Sequence, residues 1–191
     1  AINRTTGVIS GTLTATASAA SPYMVTVSVS DGTSSASTVF SWTVTPVGLP
    51  ARTVRMGSPT GPVTPGTSFT VPVQFNAETA QVVSYLFELT FDPTVVMVTD
   101  VSQGSTLFDA PVKNLEFDRG KVRFAANNPT FAPATGILTL ANVTFQVIGS
   151  AGRTSPLQLR LPANGVLVNR VNDSFQAIAG VAFVDGVVQV P

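Results

Sequence analysis

The sequence has no cysteine and no histidine among its 191 residues. Without them the chain cannot form a disulfide framework, a cysteine nucleophile, a histidine-assisted triad or a Cys/His zinc site. Charged residues are also scarce, at 10% of the chain, and ten Lys and Arg balance ten Asp and Glu. A nucleic-acid-binding surface would need an excess of basic side chains. Composition therefore argues against thiol chemistry, zinc binding and nucleic-acid binding.

The sequence also has little that would favour a membrane. The uncharged stretch at residues 5–30 is rich in Ser, Thr and Gly, whereas a membrane-spanning helix needs about 20 mostly apolar residues. We therefore predict no membrane insertion. The chain opens with Ala-Ile-Asn-Arg, without Met or an apolar signal segment, so we interpret it as a piece of a longer polypeptide. The Thr-, Ser- and Val-rich, cysteine-free composition is typical of bacterial extracellular β-modules, and we predict a secreted or cell-surface location.

β-Branched residues are abundant, with 29 Val and 25 Thr in the printed sequence. Such side chains fit a pleated, half-buried surface and favour strands. No stretch of eleven or more residues shows the 3.6-residue period of an amphipathic helix. The composition and the pattern together predict an all-β protein.

Residues 1–46 form the first of two segments and carry two charges, Arg4 and Asp31. Apolar and polar residues alternate over residues 23–30 and again over residues 36–44, with Asp31-Gly32 between the two runs. Asp and Gly tolerate the backbone of a tight turn, so this pattern predicts a β-hairpin. We expect Trp42 to be buried on the apolar face of the hairpin. Two strands cannot bury a core alone, so we interpret this segment as a partial Ig-like unit.

Residues 47–51 are interpreted as a short, stiff linker, and residues 52–191 as a second segment of about nine strands. Even spacing between turn clusters favours a two-layer β-sandwich or jelly roll. Pro72 falls inside one predicted strand and indicates an edge or a bulge. The predicted strands lie near residues 52–56, 69–75, 83–91, 95–101, 114–117, 121–126, 141–147, 157–161 and 188–190.

Several motifs of the second segment resemble the cohesin family, in the same order along the chain. Residues 84–96 contain an aromatic-Asp-Pro step, Phe91-Asp92-Pro93, at the end of a strand. Residues 65–73, 100–104, 136–147 and 185–190 resemble the opening strand, a turn, a late core strand and the closing strand of that family. Residues 2–46 are similar to the C-terminal half of bacterial Ig-like, cadherin-like modules, in which Asn3–Thr12 corresponds to a T-G-x-I-S-G-T stretch. The resemblance implies a nine-stranded jelly-roll sandwich like that of some carbohydrate-binding domains.

Cohesins bind dockerin modules, so the resemblance implies a non-catalytic docking module that attaches a protein partner to a scaffold or cell surface. In the best-known cohesin type, an Asn and an Asp on the third strand bind the dockerin, and an acidic residue follows the fifth strand. The matching positions here are Ser84, Leu86 and Asn127, which implies a less polar partner surface. Alternation places Ser84, Leu86 and Glu88 on the face opposite Tyr85. We therefore predict Ser84, Leu86, Glu88 and Asn127 as partner-binding residues.

Two other functions remain open. A polysaccharide-binding module on the same scaffold would need exposed aromatic rings, and a passive spacer in a large surface protein would need no site at all. Four charged residues lie on the two arms of one predicted hairpin: Glu116, Asp118, Lys121 and Arg123. Paired carboxylates could serve catalysis, but opposite charges that face each other across a hairpin form a cross-strand charge ladder. We favour the ladder. The aspartates are scattered singly, so we predict no metal ion and no other cofactor. An Ig-like segment with unpaired strand edges also suggests a homodimer.

Overall fold

The computed structural model describes residues 6, 23–42, 48–163 and 165–191. It divides into two compact units, Ala1–Gly48 and Leu49–Pro191. All regular secondary structure in the described ranges is β, and within them no helix is long and apolar enough to cross a bilayer. Apart from residue 6, the Asn3–Thr12 stretch lies outside the described residues, and so does residue 47 of the predicted linker.

The first unit contains the predicted hairpin. Strand β1 (Tyr23–Ser30) pairs antiparallel with β2 (Ser35–Trp42). Asp31 fixes the turn because its Oδ1 accepts hydrogen bonds from the backbone N–H groups of Thr33, at 2.9 Å, and Ser34, at 2.7 Å. Gly32 has a positive φ of 93°, which glycine adopts without strain.

The predicted burial of Trp42 is wrong, because its side chain is 48% exposed. Phe40, on the same face of the hairpin, is 45% exposed. The physical reason is that the described strands of this unit form a single layer, and an apolar face becomes buried only when a second layer packs against it. Alternation in the sequence shows which side chains share a face, not whether that face is covered.

The second unit contains twelve strands in the part of the chain that is described, and they include all nine predicted ones. The three additional strands, β11 to β13, are short and lie between residues 167 and 184. The strands are β3 (Thr53–Met56), β4 (Ser68–Asn76), β5 (Val82–Thr90), β6 (Val96–Gln103), β7 (Val112–Asp118), β8 (Lys121–Asn127), β9 (Ile137–Val147), β10 (Thr154–Arg160), β11 (Leu167–Val171), β12 (Ser174–Ala177), β13 (Ala182–Val184) and β14 (Gly186–Gln189).

These strands form two sheets. The small sheet has five strands in the order β13-β3-β4-β9-β6, and the large sheet has seven. Strand β5 is central in the large sheet. One edge of β5 pairs with β8, which in turn pairs with β7. The other edge is shared, because β11 pairs with the first half of β5 and β10 with the second half.

The core lies between the two sheets and is built from the alternation in β5. Tyr85, Phe87 and Leu89 are buried. The Tyr85 hydroxyl donates a hydrogen bond to the carbonyl of Leu140, on β9 of the small sheet, at 2.9 Å. Burial raises the pKa of the Tyr85 phenol. One side chain of β5 therefore both fills the core and ties the two layers together.

Pro72 lies in an interior strand that contains a bulge. Strand β4 pairs with both β3 and β9, and its register with β9 shifts between Val73 and Gln74. The Pro72 carbonyl accepts a hydrogen bond from the N–H of Gly57 at 2.9 Å. Since proline cannot donate to a ladder, the shift next to it is the bulge that the sequence indicated as one of two alternatives.

Candidate partner-binding face

The outward side chains of β5 and β8 form one continuous surface, which we call the outer face. It follows from the period of two along β5, because the residues between the buried aromatics must point away from the core. Ser84 lies opposite Asn127, Leu86 opposite Ala125, and Glu88 opposite Arg123. The outer face consists of Ser84, Leu86, Glu88, Thr90, Lys121, Arg123, Ala125 and Asn127.

The four predicted site residues therefore share one surface. Ser84 and Asn127 are direct cross-strand neighbours, Leu86 follows two residues along the strand, and Glu88 two residues further. Leu86 is partly buried, and its backbone N–H donates to the carbonyl of Val166, in the segment before β11, at 3.1 Å.

Glu88 sits in an ion cluster at one end of the outer face. Its side chain is 18% exposed, and its Oε2 accepts hydrogen bonds from Nε and Nη2 of Arg123 at 2.9 and 2.8 Å. Lys121 Nζ lies 3.6 Å from Oε1 of Glu88. The Arg123 guanidinium also stacks on the Phe117 ring, 3.6 Å from its centroid. The carboxylate is thus held by this protein's own cations.

The charge ladder predicted within the β7–β8 hairpin is replaced by ion pairs to another strand, because Lys121 and Arg123 both contact Glu88 of β5. Asp118 lies opposite Lys121, but Arg123 lies opposite Asn114 and turns to Glu88 on β5 instead. The register between the two strands shifts between Asn114 and Asp118. Because of this irregularity, the register gives Glu116 no partner on β8, and the four charged side chains do not form a continuous ladder.

A second ion pair lies beside this cluster. Arg160 is opposite Glu88 across β10 and β5, and its Nη2 donates to Oδ2 of Asp185 at 2.9 Å. A hydrogen bond from Arg160 is the main cause that holds the pKa of the Asp185 carboxyl below its usual range. The same hydrogen bond raises the pKa of Arg160. This end of the outer face is consequently ionic.

The other end of the outer face opens into an uncharged depression of about 360 Å³. Ser84 and Asn127 form part of its wall, and two exposed aromatic rings, Phe131 and Phe175, line it as well. The ring centroids are 5.5 Å apart with an interplanar angle of 39°. We call this depression the end pocket; its lining is Val83, Ser84, Asn127, Asn128, Pro129, Phe131, Val168 and Phe175.

Sequence reasoning missed Phe131, Val168 and Phe175. Val168 and Phe175 belong to the β11–β12 hairpin, whose two-residue turn is Asn172-Asp173. Both turn residues have positive φ, 46° and 63°, as a type I′ hairpin turn requires. These strands could have been found from the sequence, because an Asn-Asp pair lies between two short runs that contain β-branched and aromatic residues.

A second depression, of about 340 Å³, lies where β6 and the β7–β8 hairpin meet. Its lining combines apolar residues such as Met97 and Ile148 with Glu116, Asp118 and Arg119. Gly120, in the turn of that hairpin, has a φ of 75°, which glycine adopts without strain. Across the ranges that the structure describes, no three His, Cys, Asp or Glu side chains are grouped to hold a metal ion.

Two family models match the chain. The model described as "Cohesin domain" matches residues 53–190, and the one described as "Putative Ig domain" matches residues 1–45. A search of curated protein sequences gave no significant match.

Solved cohesin structures share the fold of the second unit. A cohesin from Clostridium acetobutylicum has 20% identity and a TM-score of 0.58, and the match covers 72% of this chain and 89% of that one. The third ScaC cohesin from Acetivibrio cellulolyticus, solved with the ScaB dockerin, has 22% identity and a TM-score of 0.58, over 72% and 97% of the two chains. A non-cellulosomal cohesin from the archaeon Archaeoglobus fulgidus has 22% identity and a TM-score of 0.52, over 71% and 87%.

These structural similarities show the fold, and the family model covers most of the second unit and more than half of the whole sequence. The chain belongs to the cohesin family.

Proposed function

We propose that this chain is a non-catalytic, extracellular module whose outer face binds a dockerin or a similar protein. The observation that carries the proposal is the convergence of Ser84, Leu86 and Asn127 on one open surface of a sheet. That sheet is anchored from behind by buried aromatic residues, so the surface is presented without rearrangement. Solved relatives include a cohesin in complex with a dockerin, which supports a partner of this kind.

The chemistry of the outer face favours binding over catalysis. Its carboxylate, Glu88, accepts hydrogen bonds from Arg123, so the positive charge of the guanidinium compensates the negative charge of the carboxylate. General acid or nucleophilic carboxylates work in pairs set on either side of a substrate. A single carboxylate that is ion-paired with an arginine on an open sheet has neither a second carboxylate across a substrate nor a cleft to hold one.

Partner binding is tested by titrating the purified module against a panel of purified dockerins in a calorimeter. The substitution Leu86→Asp places a charge at the centre of the outer face and should abolish any response. Met97→Asp is the matched control, because Met97 is an exposed apolar residue of β6 in the other sheet, and it should leave the affinity unchanged. A module that binds none of the dockerins, or binds equally well with Leu86→Asp, contradicts the proposal.

We also propose that the protein is secreted or lies on the cell surface. In addition, we propose that it self-associates through the first unit. The apolar face of the β1–β2 hairpin exposes Phe40 and Trp42, and exposed apolar patches favour association. Sedimentation velocity over a range of concentrations should show a dimer that the double substitution Phe40→Ser, Trp42→Ser disrupts. A concentration-independent monomer would contradict self-association but not dockerin binding.

A further inference from the structure

Building on the proposed function, we propose that the end pocket receives an uncharged, apolar side chain of the protein partner, which anchors the partner at that end of the outer face. Three features of the pocket support this: its continuity with the outer face, an aromatic rim and an uncharged lining.

The end pocket and the outer face share two residues. Ser84 and Asn127 are cross-strand neighbours on the outer face and also form part of the pocket wall. Leu86 lies two residues further along β5. Since a strand advances about 3.3 Å per residue, Leu86 is about 7 Å from Ser84. A partner that covers Leu86 therefore also covers the mouth of the pocket.

The aromatic rim is held in place at some energetic cost. Phe131 has a φ of 53°, which is unfavourable for a residue with a side chain. The backbone is fixed there because the Phe131 carbonyl accepts a hydrogen bond from Nε2 of Gln81 at 3.1 Å. Its N–H donates to the carbonyl of Asn128 at 3.3 Å. Strained backbone of this kind concentrates at functional positions.

The second ring of the rim is positioned by the β11–β12 hairpin. Phe175 lies opposite Arg170 in the register of these strands and is 58% exposed. The Arg170 guanidinium lies 5.2 Å from the centroid of Phe131 and forms an ion pair with Asp173 in the turn. Two rings from segments 44 positions apart in the sequence are thereby brought together at the surface.

The lining determines which ligand fits. It contains no charged residue, and Arg170 beside the rim is already paired with Asp173, so a charged side chain would lose its hydration without gaining an unpaired partner. The Asn128 amide is already engaged, with Nδ2 donating to the Ala132 carbonyl at 2.8 Å and Oδ1 accepting from the Thr130 hydroxyl at 3.2 Å. Apolar residues that insert into such pockets contribute a large share of the affinity in protein complexes.

The shape of the rim disfavours a sugar. Pyranose rings stack on flat aromatic surfaces, whereas Phe131 and Phe175 meet at 39° and form a wedge. A wedge matches a branched or aromatic side chain, and the volume of about 360 Å³ is at the small end of the range for ligand sites.

The test uses the dockerin that binds the unmodified module best. Phe175→Ala should weaken binding about tenfold, because truncation of an anchoring contact costs more than 1 kcal/mol. Phe175→Leu should retain affinity within about threefold, since it keeps the apolar volume. Met97→Ala, an apolar truncation on the other sheet, should have no effect. Equal affinity of Phe175→Ala and the unmodified module, together with loss of binding in Leu86→Asp, would overturn the pocket proposal and leave the proposed function intact.

If no dockerin binds, a second measurement tests whether the end pocket accepts an apolar ligand. The module is labelled with ¹⁵N and titrated with N-acetyl-leucinamide, N-acetyl-aspartamide and cellobiose. Amide shifts at Ser84, Asn127 and Val168 that appear with the leucine derivative alone, and vanish in Phe175→Ala, support an apolar ligand. Shifts with cellobiose at these residues, or no shifts with the leucine derivative, would overturn it.

Discussion

The two faces of strand β5 differ in their tasks, although they alternate residue by residue. The inward residues Tyr85, Phe87 and Leu89 are fully enclosed between the sheets. The outward residues Ser84 and Leu86 are partly exposed and lie on the outer face. Because burial sets the energetic cost of a substitution, stability and binding should respond to different residues of one strand.

The largest effect is expected for Phe87→Ala on the inward face. Removing a buried phenylalanine leaves a cavity and should lower the free energy of unfolding by about 3–5 kcal/mol. Leu86→Ala, its neighbour on the outward face, should cost about 1 kcal/mol or less, because little buried surface is lost. Urea unfolding monitored by circular dichroism gives both values. Similar costs for the two variants would show that the faces are not distinct.

A smaller effect is expected for Tyr85→Phe, which removes the hydrogen bond to the Leu140 carbonyl. The loss should be about 1–3 kcal/mol, since a buried acceptor remains unsatisfied.

The same residue predicts a pH dependence. Burial raises the pKa of Tyr85 in the folded state, whereas tyrosine in the unfolded chain ionises near pH 10. Deprotonation is therefore easier in the unfolded state, and the contribution of Tyr85 is complete below about pH 10 and lost as the pH rises further. Thermal unfolding between pH 8 and pH 11 should show a steeper alkaline decline for the unmodified protein than for Tyr85→Phe. Parallel curves would contradict the role given to this hydroxyl.

On the outward face, Glu88→Gln should cost about 1 kcal/mol. The substitution weakens the hydrogen bonds from Arg123 but leaves a neutral acceptor, and the cluster is partly screened by solvent. A double-mutant cycle with Arg123→Met isolates the coupling between the two side chains. A coupling energy of zero would mean that the ion cluster does not order this end of the outer face.

The smallest effect concerns Asp185, whose hydrogen bond with Arg160 lowers its pKa. The carboxylate stabilises the fold above the pKa of an unfolded Asp, near 4, and this contribution disappears as the pH falls through the lower folded pKa. Both side chains are substantially exposed, so the contribution should be about 0.5 kcal/mol. Asp185→Asn should flatten the acid limb of the stability curve slightly, and an unchanged acid limb would show that the pair contributes nothing.

The face assignment of β5 could be predicted from the sequence because a strand has a fixed period of two. Once Tyr85 and Phe87 are assigned to the core, the direction of Ser84, Leu86 and Glu88 follows. The hairpin turns at Gly32 and Gly120 could also be predicted, since positive φ is a local property of the backbone. Local rules thus accounted for nine of the twelve strands described in the second unit and for the surface on which the predicted residues lie.

The end pocket could not be predicted, because it depends on contacts between distant segments. Phe131 lies in a loop and Phe175 in a short strand. Only the tertiary fold places their rings 5.5 Å apart. The contact between Arg123 and Glu88 could not be predicted for the same reason, since it depends on the register shift between β7 and β8 and on the position of β5. Exposure of Trp42 likewise depends on whether a second layer covers its face.

The partner is expected to bind on the outward face of β5 and β8 and to leave the small sheet uncovered. Hydrogen–deuterium exchange of the module with and without a saturating dockerin tests it directly. Added protection should appear in residues 84–90, 121–127 and 167–177. Protection confined to the small sheet, at residues 68–76 and 137–147, would contradict the claim even if a dockerin bound tightly.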